Sequence, residues 1–252
     1  MKATRCSSYR LHMSEPVLPD AEDVLHEHPD VTGGWLRPAV FGAMDGLVSN
    51  FALIMGVVGG SSSNRDPVVL AGLAGLAAGA FSMAAGEYTS VASQSEFARA
   101  QIEIERDEIL ANERAETAEL AAMFVEKGVD EDTARDVAEQ IHRDPDQAVR
   151  VHALEEFGVD VDGLASPMLA AVSSFLSFAV GAVLPVLPFL FGVNSAWPSV
   201  ILSLLALFAC GAVVTAITAR SWWFGGLRQF VLGGAAAGLT YLIGEAVGSQ
   251  IG

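Results

Sequence analysis

The stretch FSMAAGEYTSVASQSEFARAQIEIERDEILANERAETAEL, residues 81–120, decides the fold. It begins as an apolar segment and ends as a glutamate-rich one, and neither proline nor glycine interrupts it after Gly86. The apolar run from Val68 to Ala85, with the turn that follows, is long enough to cross a hydrocarbon core of about 30 Å at about 1.5 Å per residue. We therefore predict one continuous helix that links a membrane span to a soluble acidic face.

Five long segments are apolar and almost free of charge, as is typical of membrane spans: 39–60, 66–92, 168–191, 199–219 and 229–248. They predict an all-α membrane protein with five transmembrane helices per subunit and a three-helix cytosolic insert between spans 2 and 3. The predicted domains are a disordered N-terminal tail (1–38), spans 1 and 2 (39–92), an acidic helical metal-binding insert (93–165), and spans 3 to 5 (166–252).

The net charge of −16 is concentrated in the insert. Of the 30 acidic residues, 20 lie between Glu96 and Asp162, against seven of the 14 lysines and arginines. This acidity argues against nucleic acid and anionic lipid as partners of the insert. The chain has only two cysteines, Cys6 and Cys210, which excludes a disulfide framework or a cysteine metal cluster. Residues 1–38 lack the apolar segment of a signal peptide.

The insert, about residues 93–165, is predicted to contain three helices. The first continues the second span to about Leu110, and the second covers about 115–127 and ends at Gly128. Asp130, Asp132 and Thr133 begin a third, which Asp144-Pro145 breaks before a last helical piece that ends at Gly158. Asn112 is a weak candidate for a bend between the first two.

Four glutamates of the insert, at spacings of three, eight and three residues, form a candidate cation site: Glu105, Glu108, Glu116 and Glu119. On one continuous helix they fall within an arc of about 80°. Like charges on one face repel, and Arg106 and Arg114 point elsewhere on the helix. A bound divalent cation such as Fe²⁺ or Mn²⁺ removes that repulsion. The alternative interpretation is that the four glutamates form an ordinary solvent-exposed helix face without a metal ion.

Polar groups also occur inside the predicted spans. Asp45 and Asn50 lie in the first span, and Met83 and Glu87 lie one helical turn apart in the second. A charge in lipid costs roughly 2.5–3.5 kcal/mol, so Asp45 is expected to face the bundle interior or water. The alternative is a helix-end charge at the membrane interface.

The histidines carry weaker signals. His26 and His28 belong to the predicted solvated tail. Glu139 and His142 match the Glu-x-x-His spacing of di-iron helices, but such sites need two pairs, so we interpret this single match as chance.

Taken together, several motifs resemble the vacuolar iron transporter family. They are DGLVSNFALIMGV (45–57), FSMAAGEYTSVASQSE (81–96), the E-x-x-E-x7-E-x-x-E glutamates and LEEFGVD (154–160), in the family's order and over about residues 38–250. The resemblance implies a homodimer that is not an enzyme, holds no permanent cofactor, and exports Fe²⁺, often with Mn²⁺, from the cytosol in exchange for protons.

The resemblance also assigns roles to residues. Asp45, Met83 and Glu87, together with Asn50, are expected to line the transport path. The metal-collecting residues are expected to be Glu105, Glu108, Glu116, Glu119, Glu156 and His152. Where the family has one or two methionines before that last glutamate, this chain has His152 and Ala153, so soft thioether selection is absent there and the metal preference stays open.

Basic residues predict the orientation. Arg37, the insert, Arg220 and Arg228 lie on one side and Arg65 on the other, so the positive-inside rule places the N-terminus and the insert in the cytoplasm. A bacterial plasma membrane is expected. The rival functions are a membrane-anchored carboxylate ferroxidase or iron-storage module, which needs a second Glu-x-x-His, and a docking scaffold, which leaves Asp45 and Glu87 unexplained.

Overall fold

The computed structural model describes residues 34–61, 64–217 and 221–251. All described residues lie in one unit, Val31–Gly252. His26 and His28 lie outside the described residues. The end of the predicted tail is already helical, because the first helix begins at Leu36.

Eight helices follow one another in the described part of the chain, which contains no strand: α1 (Leu36–Gly60), α2 (Arg65–Ala111), α3 (Glu113–Glu126), α4 (Glu131–Ile141), α5 (Pro145–Phe157), α6 (Pro167–Leu190), α7 (Trp197–Ile217) and α8 (Trp222–Ile251). Helices α1, α2, α6, α7 and α8 are long and apolar enough to cross a membrane. The prediction of an all-α membrane protein with five spans is therefore confirmed.

Helix α2 is the longest element, with 47 residues. At about 1.5 Å per residue it extends roughly 70 Å, more than twice the thickness of a hydrocarbon core. Its second half therefore leaves the membrane region and becomes the first helix of the insert. The Asn64 side chain caps its start by accepting a hydrogen bond from the Asp66 N–H.

The predicted end of the first insert helix at about Leu110 is confirmed, because α2 ends at Ala111, whereas the prediction that one continuous helix carries all four glutamates is wrong. Asn112 has φ −147° and ψ 56°, outside the helical region, and α3 begins at Glu113. Asparagine favours such breaks because its side chain competes for backbone hydrogen bonds. The four glutamates therefore do not share one helical face, and the weak bend signal at Asn112 was the correct one.

Close packing of α1 against α6 and α8 is built on glycine. A Cβ added to Gly46 would collide with the backbone of Phe178 in α6, and one added to Gly181 would collide with that of Ala43 in α1. Gly244 on α8 approaches the backbone of Gly56 in the same way. Small residues at these crossings let the backbones of neighbouring spans come close together. The close approach increases the van der Waals attraction between the spans.

Helix α6 continues through Pro185 and Pro188. Two carbonyls in this segment accept hydrogen bonds from neighbouring spans, Ala182 O from Asn50 Nδ2 at 2.6 Å and Pro185 O from Ser199 Oγ at 2.6 Å. Side chains of other spans thus satisfy backbone groups where proline disturbs the helix, as membrane burial requires.

The insert packs on the extension of α2 through a small apolar core: Ile102, Ile109, Ala148, Val149 and Ala153. Helices α4 and α5 each begin at an aspartate that caps them. Asp130 and Asp144 accept hydrogen bonds from Thr133 N–H and Asp146 N–H, and Gly158 ends α5 with φ 65°. Because α4 and α5 are separate helices, the insert contains three helices in addition to the extension of α2.

Helix α8 begins at Trp222, seven residues before the predicted start of the fifth span at residue 229. The centroids of the Trp222 and Trp223 indole rings lie 4.5 Å apart, and both rings contact the Phe208 ring of α7 edge-on. These aromatic contacts stabilise the start of this helix, about two turns before the apolar run.

Candidate metal-binding sites

Three side chains of metal-ligand type converge where α2 packs against α5. Glu105 lies on α2, and His152 and Glu156 lie one turn apart on α5. The Nδ1 atom of His152 is 2.8 Å from Oε1 of Glu156 and 3.0 Å from Oε1 of Glu105. One ligand atom from each of the three residues lies within 4.8 Å of the others. Carboxylate oxygen and imidazole nitrogen together suit divalent transition metals.

This group of three side chains is unusual because two of its members, Glu105 and His152, are buried. Glu105 and His152 are 2% and 0% exposed, and Oε1 of Glu105 has no hydrogen-bond partner in the described structure. His152 Nδ1 is near it, but the better-aligned contact of that nitrogen is with Glu156. A buried carboxylate oxygen without a partner costs free energy unless a cation or proton satisfies it.

The remaining predicted glutamates act on the same site. The pKa of Glu105 is raised to about 7, first because burial disfavours the charged carboxylate and next because of the charge of Glu156, while His152 partly offsets both; the charges of Glu116 and Glu108 raise it further. Burial and then the charge of Glu119 raise the pKa of Glu116. Three helices, α2, α3 and α5, therefore contribute five glutamates to one electrostatic cluster.

The break at Asn112 explains this convergence. It turns α3 away from the axis of α2, so that Glu116 comes within electrostatic range of Glu105, Glu108 and Glu156. The cluster that the sequence predicted is thus present, but a turn between two helices forms it rather than a shared face. As predicted, Arg106 is engaged elsewhere, with Nη1 2.7 Å from Oδ1 of Asp146.

His152 and Ala153 occupy different environments. Ala153 is fully buried in the apolar core of the insert, whereas His152 points into the glutamate cluster. The imidazole is therefore the one side chain of this pair that is able to ligate a cation. A nitrogen ligand in this place favours a borderline ion over a soft one.

Sequence reasoning missed His142. The structure brings its Nε2 to 3.3 Å from Nε2 of His152, while Glu139 does not join the cluster. A signal was available in the spacing of Ala134, Ala138 and His142, which repeat every four residues along α4. All three are buried, so this histidine belongs to the inward face of an amphipathic helix.

A second group of polar side chains lies within the membrane-spanning helices. A cavity of about 530 Å³ is lined by residues of α1, α2 and α6, and these include Asp45, Asn50, Met83 and Glu87. The structure therefore brings together all four residues that were predicted to line the transport path. The alternative of Asp45 as an isolated helix-end charge does not account for this placement beside a carboxylate and a thioether.

The cavity continues along one face of α2. Met83, Glu87, Ser90 and Gln94 all line it at helical spacing, and Arg37 is the basic side chain among the lining residues. Ser90, Gln94 and Arg37 were not predicted. The helical spacing of Ser90 and Gln94 from Met83 is a sequence signal that predicts these two residues on the same face of the helix.

Asn50 has a second role in this cavity. Its buried amide nitrogen donates to Ala182 O of α6 at 2.6 Å and to Gly72 O of α2 at 3.2 Å. Its Oδ1 is buried without a hydrogen-bond partner in the described structure. The side chain thus joins three spans while its oxygen stays available as an acceptor beside the cavity.

These features define the chain as a multi-pass α-helical membrane protein whose second span extends into an acidic helical insert. Residues 36–245 match the model of the VIT family. The chain is 36% identical over 218 residues to a vacuolar iron transporter of Acanthamoeba castellanii, covering 84% of this chain and 78% of the relative.

Two plant relatives agree. The chain is 28% identical to vacuolar iron transporter 1 of Oryza sativa subsp. japonica, over 92% of this chain and 95% of that protein. It is 25% identical to vacuolar iron transporter 1 of Tulipa gesneriana, over 93% and 97%. The chain belongs to the VIT family, and the resemblance inferred from its motifs is confirmed.

Proposed function

We propose that this protein transports Fe²⁺ across the membrane and out of the cytosol, with Mn²⁺ as a second transported ion, in exchange for protons. The observation that carries the proposal is the cavity among the spans, in which Asp45, Glu87, Met83 and Asn50 meet. Ionisable groups at membrane depth are costly and are retained where they serve an ion path. The names of the relatives, which are vacuolar iron transporters, support iron as the ion.

The insert collects the cation in this proposal. Its glutamates raise the local cation concentration, and Glu105, His152 and Glu156 form its best-organised ligand set. Glu105 and Glu87 lie on the same helix, about 27 Å apart along its axis at about 1.5 Å per residue. A continuous α2 therefore connects the collecting site to the cavity.

Proton exchange follows from the chemistry of the path ligands. A carboxylate must lose its proton to bind a cation, and its reprotonation weakens that binding. Protonation of Asp45 or Glu87 from the acidic side thus releases the ion there. Met83 supplies a polarizable ligand that favours Fe²⁺ over hard ions such as Mg²⁺.

The proposed topology places the N-terminus and the insert in the cytoplasm of a bacterial cell, in its plasma membrane. The positive-inside rule supports this orientation. We further propose that two subunits associate and that the cavity lies near the dimer axis. Light scattering of the purified protein, corrected for detergent, is expected to give twice the 26.4 kDa of one chain.

Flux into proteoliposomes tests the function. Purified wild-type protein is expected to move Fe²⁺ into vesicles with an acidic interior, and Mn²⁺, Co²⁺ and Zn²⁺ at two pH values would define selectivity. Asp45→Asn is expected to lower proton-driven Fe²⁺ flux at least about tenfold, because it removes a charged path ligand.

Glu245→Gln is the matched control, since Glu245 is an exposed carboxylate on α8 outside the cavity lining. Its flux is expected to equal that of the wild type. Proton-driven Fe²⁺ flux at the wild-type rate in Asp45→Asn would show that the proposed path is wrong.

A further inference from the structure

The His142 and His152 rings form a buried pair next to the glutamate cluster. His142 is the C-terminal cap of α4 and is 5% exposed, and His152 on α5 is fully buried. Their rings meet edge-to-face, with centroids 5.2 Å apart and an interplanar angle of 87°. Their Nε2 atoms are 3.3 Å apart, which is within hydrogen-bond distance.

The hydrogen bonds of His142 determine its tautomer. Its Nδ1 lies 2.9 Å from the backbone oxygen of Ala138, and a carbonyl oxygen only accepts. Nδ1 of His142 therefore carries the proton and donates it to that oxygen. In a neutral imidazole the other nitrogen is then a bare acceptor, so Nε2 of His142 presents a lone pair to His152.

The tautomer of His152 follows from that of His142. Two lone pairs facing each other at 3.3 Å repel, so Nε2 of His152 carries a proton and donates it to Nε2 of His142. The other ring nitrogen of neutral His152, Nδ1, then has a free lone pair. That lone pair lies 2.8 Å from Oε1 of Glu156 and 3.0 Å from Oε1 of Glu105, so the three atoms repel one another unless a proton or a cation lies between them. A cation in that place satisfies all three atoms, and Nδ1 is then the ligating nitrogen of His152.

Three electron-pair donors thus surround one point in the insert. In an octahedral cation site with bonds of about 2.1 Å, neighbouring ligand atoms lie about 3.0 Å apart. The two distances from His152 Nδ1 match that spacing. The unpartnered Oε1 of Glu105 provides an independent sign that the group is arranged for a cation.

We propose that His142 is a positioning residue that holds His152 in the tautomer whose Nδ1 is the metal-ligating atom. This inference rests on the proposed role of the insert as a metal-collecting site. It adds a residue outside the ligand set whose hydrogen bond decides which nitrogen of His152 meets the cation. Such outer contacts orient imidazole ligands and typically change metal affinity 10–100-fold when removed.

Paired substitutions of His142 separate positioning from packing. In His142→Gln, the side-chain oxygen is able to accept from Nε2–H of His152, whereas His142→Leu retains bulk and removes the acceptor. We expect His142→Leu to weaken Zn²⁺ binding by the full-length protein in detergent about tenfold or more and His142→Gln by less than about threefold. A purely packing role predicts the opposite order, because leucine leaves no unpaired amide at this 5% exposed position, whereas glutamine does.

A spectroscopic readout identifies the ligating atom. In full-length protein with ¹⁵N-labelled histidine and bound Zn²⁺, imidazole NMR is expected to report Zn²⁺ on Nδ1 of His152 and a proton on Nε2. His142→Leu is expected to lose this single tautomer. Gln140→Leu, at an exposed position on the same helix, is the control for adding leucine and is expected to match wild type.

Glu105→Gln separates this inference from the proposed function. If Glu105→Gln abolishes strong Zn²⁺ binding but His142→Leu binds as wild type, the positioning role is overturned and the metal-collecting site stands. Coordination through Nε2 of His152, or directly through His142, overturns it equally. If Zn²⁺ binding does not depend on Glu105, both the collecting site and the role of His142 are refuted.

Discussion

Oε1 of Glu105 and Nδ1 of His152 lie 3.0 Å apart although they belong to different helices, α2 and α5. Glu105 lies on the helix that also carries Met83 and Glu87 in the membrane cavity. The contact therefore attaches the ligand set of the insert to the helix that enters the proposed transport path. All backbone hydrogen bonds of this helix are internal, so it is rigid. It therefore holds the ligand set and the cavity at a fixed separation.

Glu105→Gln is expected to weaken binding of Mn²⁺ by the detergent-solubilised protein at least about tenfold, because it removes a buried carboxylate ligand. Isothermal titration calorimetry measures this loss. Glu103→Gln is the matched control, since Glu103 lies on the same helix but is exposed. Equal weakening in both variants would mean that only net charge matters.

Metal binding by the insert is expected to depend on pH. The pKa of Glu105 is raised to about 7, chiefly by burial, so a cation must displace a proton from it below that pH. Affinity should rise roughly tenfold per pH unit below 7 and little above 8. Titrations in buffers of different ionisation enthalpy measure the released proton. An affinity that is constant from pH 5.5 to 8 would contradict the raised pKa.

The stability of chelator-treated protein should fall over the same pH range. Below the ordinary pKa of 4.5 Glu105 is protonated in both folded and unfolded states, and its contribution is fully present. As pH rises through about 7, the folded state must ionise a buried carboxylate, so this contribution is lost. Thermal unfolding at pH 5 and 8 should show a smaller fall for Glu105→Gln than for Glu103→Gln.

Asn50→Leu is expected to destabilise the membrane region by about 0.5–2 kcal/mol, because hydrogen bonds to Gly72 O and Ala182 O are lost. Thermal unfolding in detergent measures the change. Ser249→Ala is the control, since that hydroxyl is exposed and donates only within its own helix, to Ala246 O. Equal effects of the two substitutions would argue against a bridging role for Asn50.

Gly46→Ala is expected to destabilise the protein by about 1–3 kcal/mol, because its Cβ would collide with the backbone of Phe178. Gly234→Ala is expected to be tolerated, because its Cβ would meet only Leu204 Cδ2 at 3.5 Å, an ordinary contact. Thermal unfolding in detergent compares the stabilities of the two variants. A Gly46→Ala protein as stable as Gly234→Ala would refute the close α1–α6 contact.

The sequence by itself determined the class of structure. Runs of apolar residues predict spans because a backbone in lipid must satisfy its own hydrogen bonds, and only long helices do so in such segments. The acidic composition of residues 93–165 likewise identifies the insert, and Asp130, Asp144 and Gly158 mark its helix ends. These are local properties, which neighbouring residues decide.

Only the tertiary structure decided which side chains meet. Periodicity along a single helix predicted the glutamate cluster for the wrong reason, because Asn112 ends α2 and a turn brings Glu116 towards Glu105. The contact between His142 and His152 and the bonds from Asn50 to two other spans depend on packing between distant segments. Local patterns set where helices begin and end, whereas turn geometry and close packing set which of their faces approach one another.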